Sequence, residues 1–559
     1  MGVVCSHQHD HLASGASRKK EEKALFPSSL MGKLVCLKTF MSSRNSRKER
    51  TIYFLFFFPL LLTTLISCAN SGQAVVVQKM ATPTKAATVA PCTDTNGSGS
   101  EGNPSQIAVK IDSACTIGTS QYASGLTQID NSLDYPETTS QVRAANKITS
   151  LLTGTVTYQN THIMGWGMPD PWPDPTTPDP TDWSGLDLSM HLALATGSQP
   201  VITLDEAPWW MKGEMLDDGS TQTLVQSDEW SGIAYRSRIL DNKMDAWVHL
   251  VQSVARRYMV PPYNVRYFQV WNELKGYYNP LTNNFDYINN AGNPNGPFAT
   301  HGYTYMYNRV YEALMSVATS LGIAPNDIKV GGPYVFMDAW SDKTQSTASA
   351  ITGPFGTLDQ RPLDTIQYWL QHKDGAGFIA FDGSAKTRDV STLQTNPCKA
   401  AEVFGYVTSW IRSLDPTKYP GAKTLPIWMS EWFLGPYNGE QNFDYDNMVK
   451  TCAMIKFIVA GGGVALSWGG ADDAALDMGL YTSDGTPHPW YWTMRSLKTD
   501  FAAGTKLYLT TVSDPNSVLA LASDRNVLLV NKTSHTLTLA VRRKQVSLAP
   551  YAVTVVGYN

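Results

Sequence analysis

The sequence predicts an α/β fold, a (β/α)8 TIM barrel followed by a small C-terminal β-sandwich, on three observations. Short runs of β-branched and aromatic residues recur along residues 106–500, separated by stretches of helical spacing, the alternation that builds a parallel sheet. Two of those runs end in a carboxylate flanked by Trp, at the strand ends where barrels place reactive groups. From about residue 501 the pattern changes to period two. Ser517–Ser523, Val527–Val530, Thr536–Val541 and Val553–Val556 alternate between turns of Asp, Asn and Ser, as in a sandwich.

At 559 residues the chain exceeds one ordinary domain and suits a barrel with an appendage. A hydrophobic content of 43% with 16% charged residues describes a globular protein, and a net charge of −4 gives no reason to propose a nucleic-acid partner. Residues 1–67 read as an N-terminal extension and signal. Arg44, Arg47, Lys48 and Arg50 precede the apolar run Ile52–Ile66, too short and Thr-interrupted for a membrane span. The run ends at Leu65-Ile66-Ser67-Cys68, which resembles a bacterial lipoprotein cleavage box. This implies export and anchoring through a lipidated Cys68, with Met41 or Met31 a more usual start than Met1. The rival is an N-myristoylation signal at Met1-Gly2, which conflicts with the export signal behind it. Residues 68–105, rich in Ala, Thr, Gly, Ser and Asn, read as a flexible linker. Of the seven cysteines, Cys92, Cys115, Cys398 and Cys452 lie beyond the anchor. Cys92–Cys115 is the nearest pair for a bridge, buried thiols account equally well for Cys398 and Cys452, and no spacing matches a zinc site.

Taken in order, Gln106–Asp112 alternates as a strand of the accessory domain, and Cys115–Tyr122 is expected as the first barrel strand. His162–Gly167 is expected as the second strand, with the Pro- and Asp-rich insert Met168–Thr181 after it lining the rim. Gln199–Asp205 is the third strand and leads into Glu206-Ala-Pro-Trp-Trp-Met-Lys212. Trp209 and Trp210 there are the leading sugar-stacking candidates, although either ring serves equally as packing under the loop. Asp241–Met259 carries an apolar stripe at helical spacing and precedes the fourth strand, which ends at Trp271-Asn272-Glu273. Ile328–Pro333, Gly377–Asp382, Leu425–Glu431 and Gly463–Trp468 are the remaining strands, with helices Tyr303–Leu321, Leu363–His372, Ala400–Leu414 and Asp444–Ala460 between or after them. Asp472, on a Gly-flanked loop after the last strand, is placed to bind a hydroxyl or to cap the next turn.

Glu273 and Glu431 lie about three strand–helix units apart, so a barrel would set them facing one another. Two such carboxylates about 5 Å apart are what retaining glycoside hydrolysis needs, one to protonate the leaving oxygen and one to attack the anomeric carbon. The Trp-Asn-Glu and Ser-Glu-Trp motifs resemble those of the clan A glycoside hydrolases, and within that clan family 39, which contains β-xylosidases and α-iduronidases. The resemblance implies that Glu273 is the acid/base, Glu431 the nucleophile, Asn272 a contact to the sugar 2-hydroxyl and Trp468 a platform for the sugar. Many clan members carry a His or Tyr at the end of the sixth strand; Asp382 and Gly383 stand here instead. The expectation is an exported retaining glycosidase acting on a carbohydrate, with no metal or cofactor. The alternative is an inactive, surface-anchored carbohydrate-binding protein.

Overall fold

The computed structural model describes residues 106–128, 139–166, 168–288, 301–340, 347–387, 396–432, 434, 442–470 and 479–558. The targeting segment, Cys68, the linker with Cys92, and Asp472 lie outside the described residues.

After the first strand, β1 (Ile107–Thr119), come the eight strands of the barrel: β2 (Ala123–Thr127), β3 (Tyr158–His162), β4 (Gln199–Leu204), β5 (Tyr267–Val270), β6 (Lys329–Trp340), β7 (Phe378–Thr387), β8 (Ile427–Trp432) and β9 (Val464–Trp468). Strands β2 to β9 pair parallel, each with the next, and β9 returns to β2, closing the barrel. Parallel neighbours require a crossover, and amphipathic helices supply it. Met244–Tyr258, for example, buries Trp247, Leu250, Val251 and Val254 against the strands. Among the described residues no helix is long and apolar enough to cross a membrane.

Two expected strands lie elsewhere. Cys115 belongs to β1, not to the barrel, because β1 pairs antiparallel with β10 (Lys506–Val512) of the C-terminal domain. The inner strand that replaces it is only Ala-Ser-Gly-Leu-Thr, with a glycine at position 125 where a Cβ would run into Leu466. His162 ends the second strand instead of opening it.

The C-terminal domain adds β11 (Val518–Ala522), β12 (Asn526–Asn531), β13 (Leu537–Val541), β14 (Lys544–Leu548) and β15 (Val553–Gly557), in the order β14-β13-β1-β10-β11-β12-β15. The sheet folds over on itself as a small β-sandwich. Buried Asn531, at the end of β12, donates to the carbonyls of Leu548 and Ala549 at the end of β14, five places away in the strand order. Period two divides β12 between two cores, Val527 and Leu529 facing the sandwich and Leu528 and Val530 the barrel. The segment 106–500 thus lends its first strand to this domain. Cys398 and Cys452, for which free thiols were an equal expectation, form a disulfide between the helices Pro397–Ala400 and Phe443–Val459. Cys115 is disulfide-bonded as well.

Side chains fill the barrel in layers. The lowest is apolar: Tyr158, Val201, Tyr267, Phe378 and Trp428 pack together, with the rings of Phe378 and Trp428 4.0 Å apart. Above it runs a chain of hydrogen bonds. Gln269 donates to Thr203 (3.1 Å), Thr203 to Asn160 (2.7 Å), Asn160 to Thr127 (3.2 Å) and Thr127 to the carbonyl of Ser430 (3.0 Å). Each link polarises the next, and the chain ties the strand before Glu273 to the strand that bears Glu431. Replacing Thr203 by Val keeps the volume and strands Asn160 and Gln269. Urea unfolding of Thr203→Val is expected to show a loss of about 2–4 kcal/mol. The loss in Asn160→Leu/Thr203→Val should fall short of the sum of the single losses.

Candidate active site

Parallel strands bring all their C-terminal ends to one mouth. The chain pays for the arrangement there in strain: of ten non-glycine residues with positive φ among the described residues, six sit on this face, Trp166, Glu206, Trp271, Glu273 and Leu274 past the strand ends and Tyr334 at a register shift within β6.

Three of the six shape the turn after β5. Lys275 donates its amide to the carbonyl of Asn272 (3.0 Å), and the Trp271 indole donates to the carbonyl of Lys275 (2.8 Å). Position 276 has φ +75°, and a Cβ there would meet the backbone of Ser237 and Arg238, so only glycine fits. Folded this tightly, the turn curls the Lys275 ammonium back over its own start. The ammonium donates to Asn272 Oδ1, stands 3.3 Å from Glu273 Oε2, and rests 3.6 Å from the centre of the Tyr235 ring and 4.9 Å from that of Trp166.

Across the mouth, Glu431 Oε2 accepts from Tyr334 Oη (3.0 Å) and Asn272 Nδ2 (3.3 Å), with His162 Nε2 3.9 Å away. His162 is held from behind, its Nδ1 2.7 Å from Asp205 Oδ2. A third carboxyl, Asp382 on β7, is fully buried. Its Oδ1 accepts from the amide of Gly383 (2.5 Å), and its Oδ2 finds no donor among the described residues. Oxygens of Glu273, Asp382 and Glu431 all lie within 4.8 Å of one another. Three carboxylates so placed could chelate a cation, but the chain supplies its own counter-charge in Lys275.

The electrostatics follow from this crowding. Burial raises Glu273, but the Lys275 ammonium outweighs it and holds the carboxyl below its ordinary range. Burial and then the charge of Glu273 push Glu431 up to about 8. Burial, Glu431 and Glu273 hold Asp382 well above the carboxylate range. Burial pulls His162 down, yet the Asp205 and Glu431 carboxylates outweigh it, so the imidazole lies above its usual value. Burial keeps the Tyr334 phenol protonated, so it acts as a donor. The cation beside Glu273 thus favours its charged form and works against the expected division, with the proton on Glu273 and Glu431 ionised.

Of the residues singled out in the sequence, Glu273, Glu431 and Asn272 come together at the mouth. Trp468 stands at its edge, its ring 5.6 Å from that of Trp166, with its buried Nε1 lacking a partner among the described residues. Trp209 is half-buried, its Nε1 likewise without an acceptor. Trp210 packs under the rim loop: its indole donates to the carbonyl of Trp172 (2.9 Å), its ring meets that of Trp172 edge-on at 5.1 Å, and Lys243 lies over it. Tyr334 and His162 were not among the singled-out residues; Asp205 ranked below the two Glu as a rim carboxylate for want of an Asn neighbour, and Lys275 counted only as a basic residue near the motifs. The alternation Tyr158, Asn160, His162 was a readable signal for one of them. For Tyr334 there was none, since a register shift between Pro333 and Val335 turns it inward.

A closed (β/α)8 barrel with paired carboxylates on facing strand ends is the class that fold and site define. No protein-family model matches the sequence, and no curated protein matches it. Among solved structures the chain is similar to SrfJ from Salmonella typhimurium, at 10% identity and a TM-score of 0.51, over 82% of this chain and 93% of that one. Other structural neighbours are glycoside hydrolases by their names. They include a GH30 endoxylanase from Clostridium papyrosolvens C71 (13% identity, TM-score 0.46, 81% and 100% covered) and a GH39 β-xylosidase from Caulobacter crescentus (14%, 0.44, 78% and 83%). At these identities the likeness is one of fold.

A carboxyl raised in the folded state stabilises below its unfolded value, and that stability is lost as the pH climbs toward the folded value. For Glu431 the window runs from its ordinary 4.5 to about 8. Glu431→Gln removes the penalty. Urea unfolding is expected to show the variant more stable than the parent by up to about 3 kcal/mol at pH 7, the gain vanishing near pH 4.

Proposed function

We propose that the protein is a retaining glycoside hydrolase that cleaves O-glycosidic bonds of an oligo- or polysaccharide by double displacement. The observation that carries this reading is the approach of Glu273 and Glu431 oxygens to within 4.8 Å. Retention needs about 5 Å between the two carboxyls; inversion, which must fit a water between them, needs roughly 6.5–9.5 Å.

Glu431, as the carboxylate, attacks the anomeric carbon. Tyr334 and Asn272 hold it in place, and both donate to the same oxygen. Glu273 delivers the proton to the leaving oxygen and later takes one from water. Asn272 is the proposed contact to a sugar hydroxyl, and the rings of Trp468 and Trp209 are the proposed faces for the incoming sugar. Chemistry of this kind requires no metal. Export, with Cys68 as the lipidated first residue, is part of the same proposal and rests on the basic-then-apolar segment before it.

Incubation with aryl glycosides, followed by proton NMR of the first-formed sugar, should show the anomeric configuration kept. Glu431→Gln should lower kcat by on the order of 10⁴-fold, and azide should restore turnover to Glu431→Gly as an inverted glycosyl azide. Because Glu431 must lose its proton before attacking, the ascending limb of kcat/KM against pH should lie at neutral to mildly alkaline pH, not in the ordinary carboxylate range. Full turnover by Glu431→Gln would refute the assignment.

A further inference from the structure

Two carboxyls suffice for double displacement, and this mouth holds three. Asp382 is the surplus group. It lies within β7, in register with Glu431 on β8, and is fully buried. Lys275 sets a difficulty that Asp382 answers. The ammonium keeps Glu273 ionised, so the group that must act as acid has no proton of its own. Once Glu431 is ionised for attack, the proton that remains in the cluster has to sit where no donor already occupies the oxygen. Glu431 accepts from Tyr334 and Asn272, and Glu273 faces Lys275. Asp382 Oδ2, fully buried, finds no donor among the described residues. Two buried carboxyl groups whose oxygens lie within 4.8 Å, as those of Asp382 and Glu273 do, relieve their repulsion by holding a proton between them.

We propose that Asp382 is a positioning residue that stores the acid proton: its O–H donates to the Glu273 carboxylate, and Glu273 passes a proton on to the leaving group. This inference rests on the glycosidase reading. In the first half-reaction the Asp382 proton moves to the Glu273 carboxylate and from there to the glycosidic oxygen, leaving Asp382 as the carboxylate. The bond from C1 to the leaving oxygen breaks and one from C1 to Glu431 forms. In the second, water attacks C1, its proton goes to Glu273 and so back to Asp382, and Glu431 leaves as a carboxylate. The charged and titratable groups around the relay are Glu273, Lys275, Glu431, Tyr334, His162, Asp205 and Tyr235, and of these Glu273 and Glu431 bring carboxyl oxygens within 4.8 Å of Asp382.

Asp382→Asn tests it, since the amide keeps the shape and the neutral charge but cannot relay. Dinitrophenyl glycosides, whose leaving group needs no proton, should be turned over within about threefold of the parent rate. Methyl or alkyl glycosides of the same sugar should slow by about 10²–10³-fold, with the descending limb of the pH profile moved to lower pH. Equal losses on both substrates, or an unchanged profile, would overturn the relay. Thermal unfolding reads the stored proton without turnover. Asp382→Asn should match the parent near pH 4 and gain a few degrees in Tm as the pH rises through 8. A Tm loss that does not vary with pH would overturn the inference itself. A parent inactive on every glycoside whose variant still shows the pH-dependent gain would instead overturn the glycosidase reading, and the relay with it.

Discussion

Three acidic groups share a space 4.8 Å across, and one ammonium answers them. Left to themselves, three carboxylates at that distance would repel strongly enough to open the mouth or to take up protons until the charge fell. The remainder of the site can be understood as the means by which this crowding is tolerated. Two neutral donors, Tyr334 and Asn272, converge on a single oxygen of Glu431, and His162, fixed from behind by Asp205, adds a third polar group at 3.9 Å. None of these can move far. The hydrogen-bond chain from Gln269 through Thr203, Asn160 and Thr127 to Ser430 holds the supporting strands at their spacing immediately below.

The positive-φ residues at the mouth belong to the same balance. Each costs about 1–3 kcal/mol and persists because the barrel below over-determines it. Turning Glu273 and Leu274 into the left-handed region is what curls Lys275 back over Asn272. Turning Tyr334 the same way brings its phenol under Glu431. Strain and buried charge are therefore concentrated on one face, while the opposite end of the barrel is filled with stacked aromatic rings that carry neither.

How much of this was legible in the sequence differs by element. Glu273, Asn272 and Glu431 were readable because a carboxylate at the lip of an apolar run is a local feature, and the barrel then brings such lips together whatever lies between. The β-sandwich was readable from its period of two. The first barrel strand was not, since its five residues include a glycine and carry little apolar signal, whereas the longer β1 before it has a strand's alternation and spends it on the other domain. Tyr334 was hidden by a register shift that no local pattern announces. Trp210 has the composition of a sugar platform, and only its neighbours Trp172 and Lys243 show it to be loop packing. The bond between Cys398 and Cys452 joins helices 54 residues apart, a separation at which pairing is decided in space.

Lys275 and Asp382 make sense only together. A cation 3.3 Å from Glu273 would, by itself, disable that residue as an acid, because the charged form it favours has nothing to give. A buried aspartate beside Glu431 would, by itself, raise the nucleophile's affinity for a proton and blunt its attack. With both present, the ammonium offsets the added negative charge and the aspartate returns the proton that the ammonium drives off. The short turn after β5 places the first, and the register of β7 against β8 places the second. Departures from a common motif that would each impair the site singly can thus be kept as a pair, provided the backbone fixes both at once.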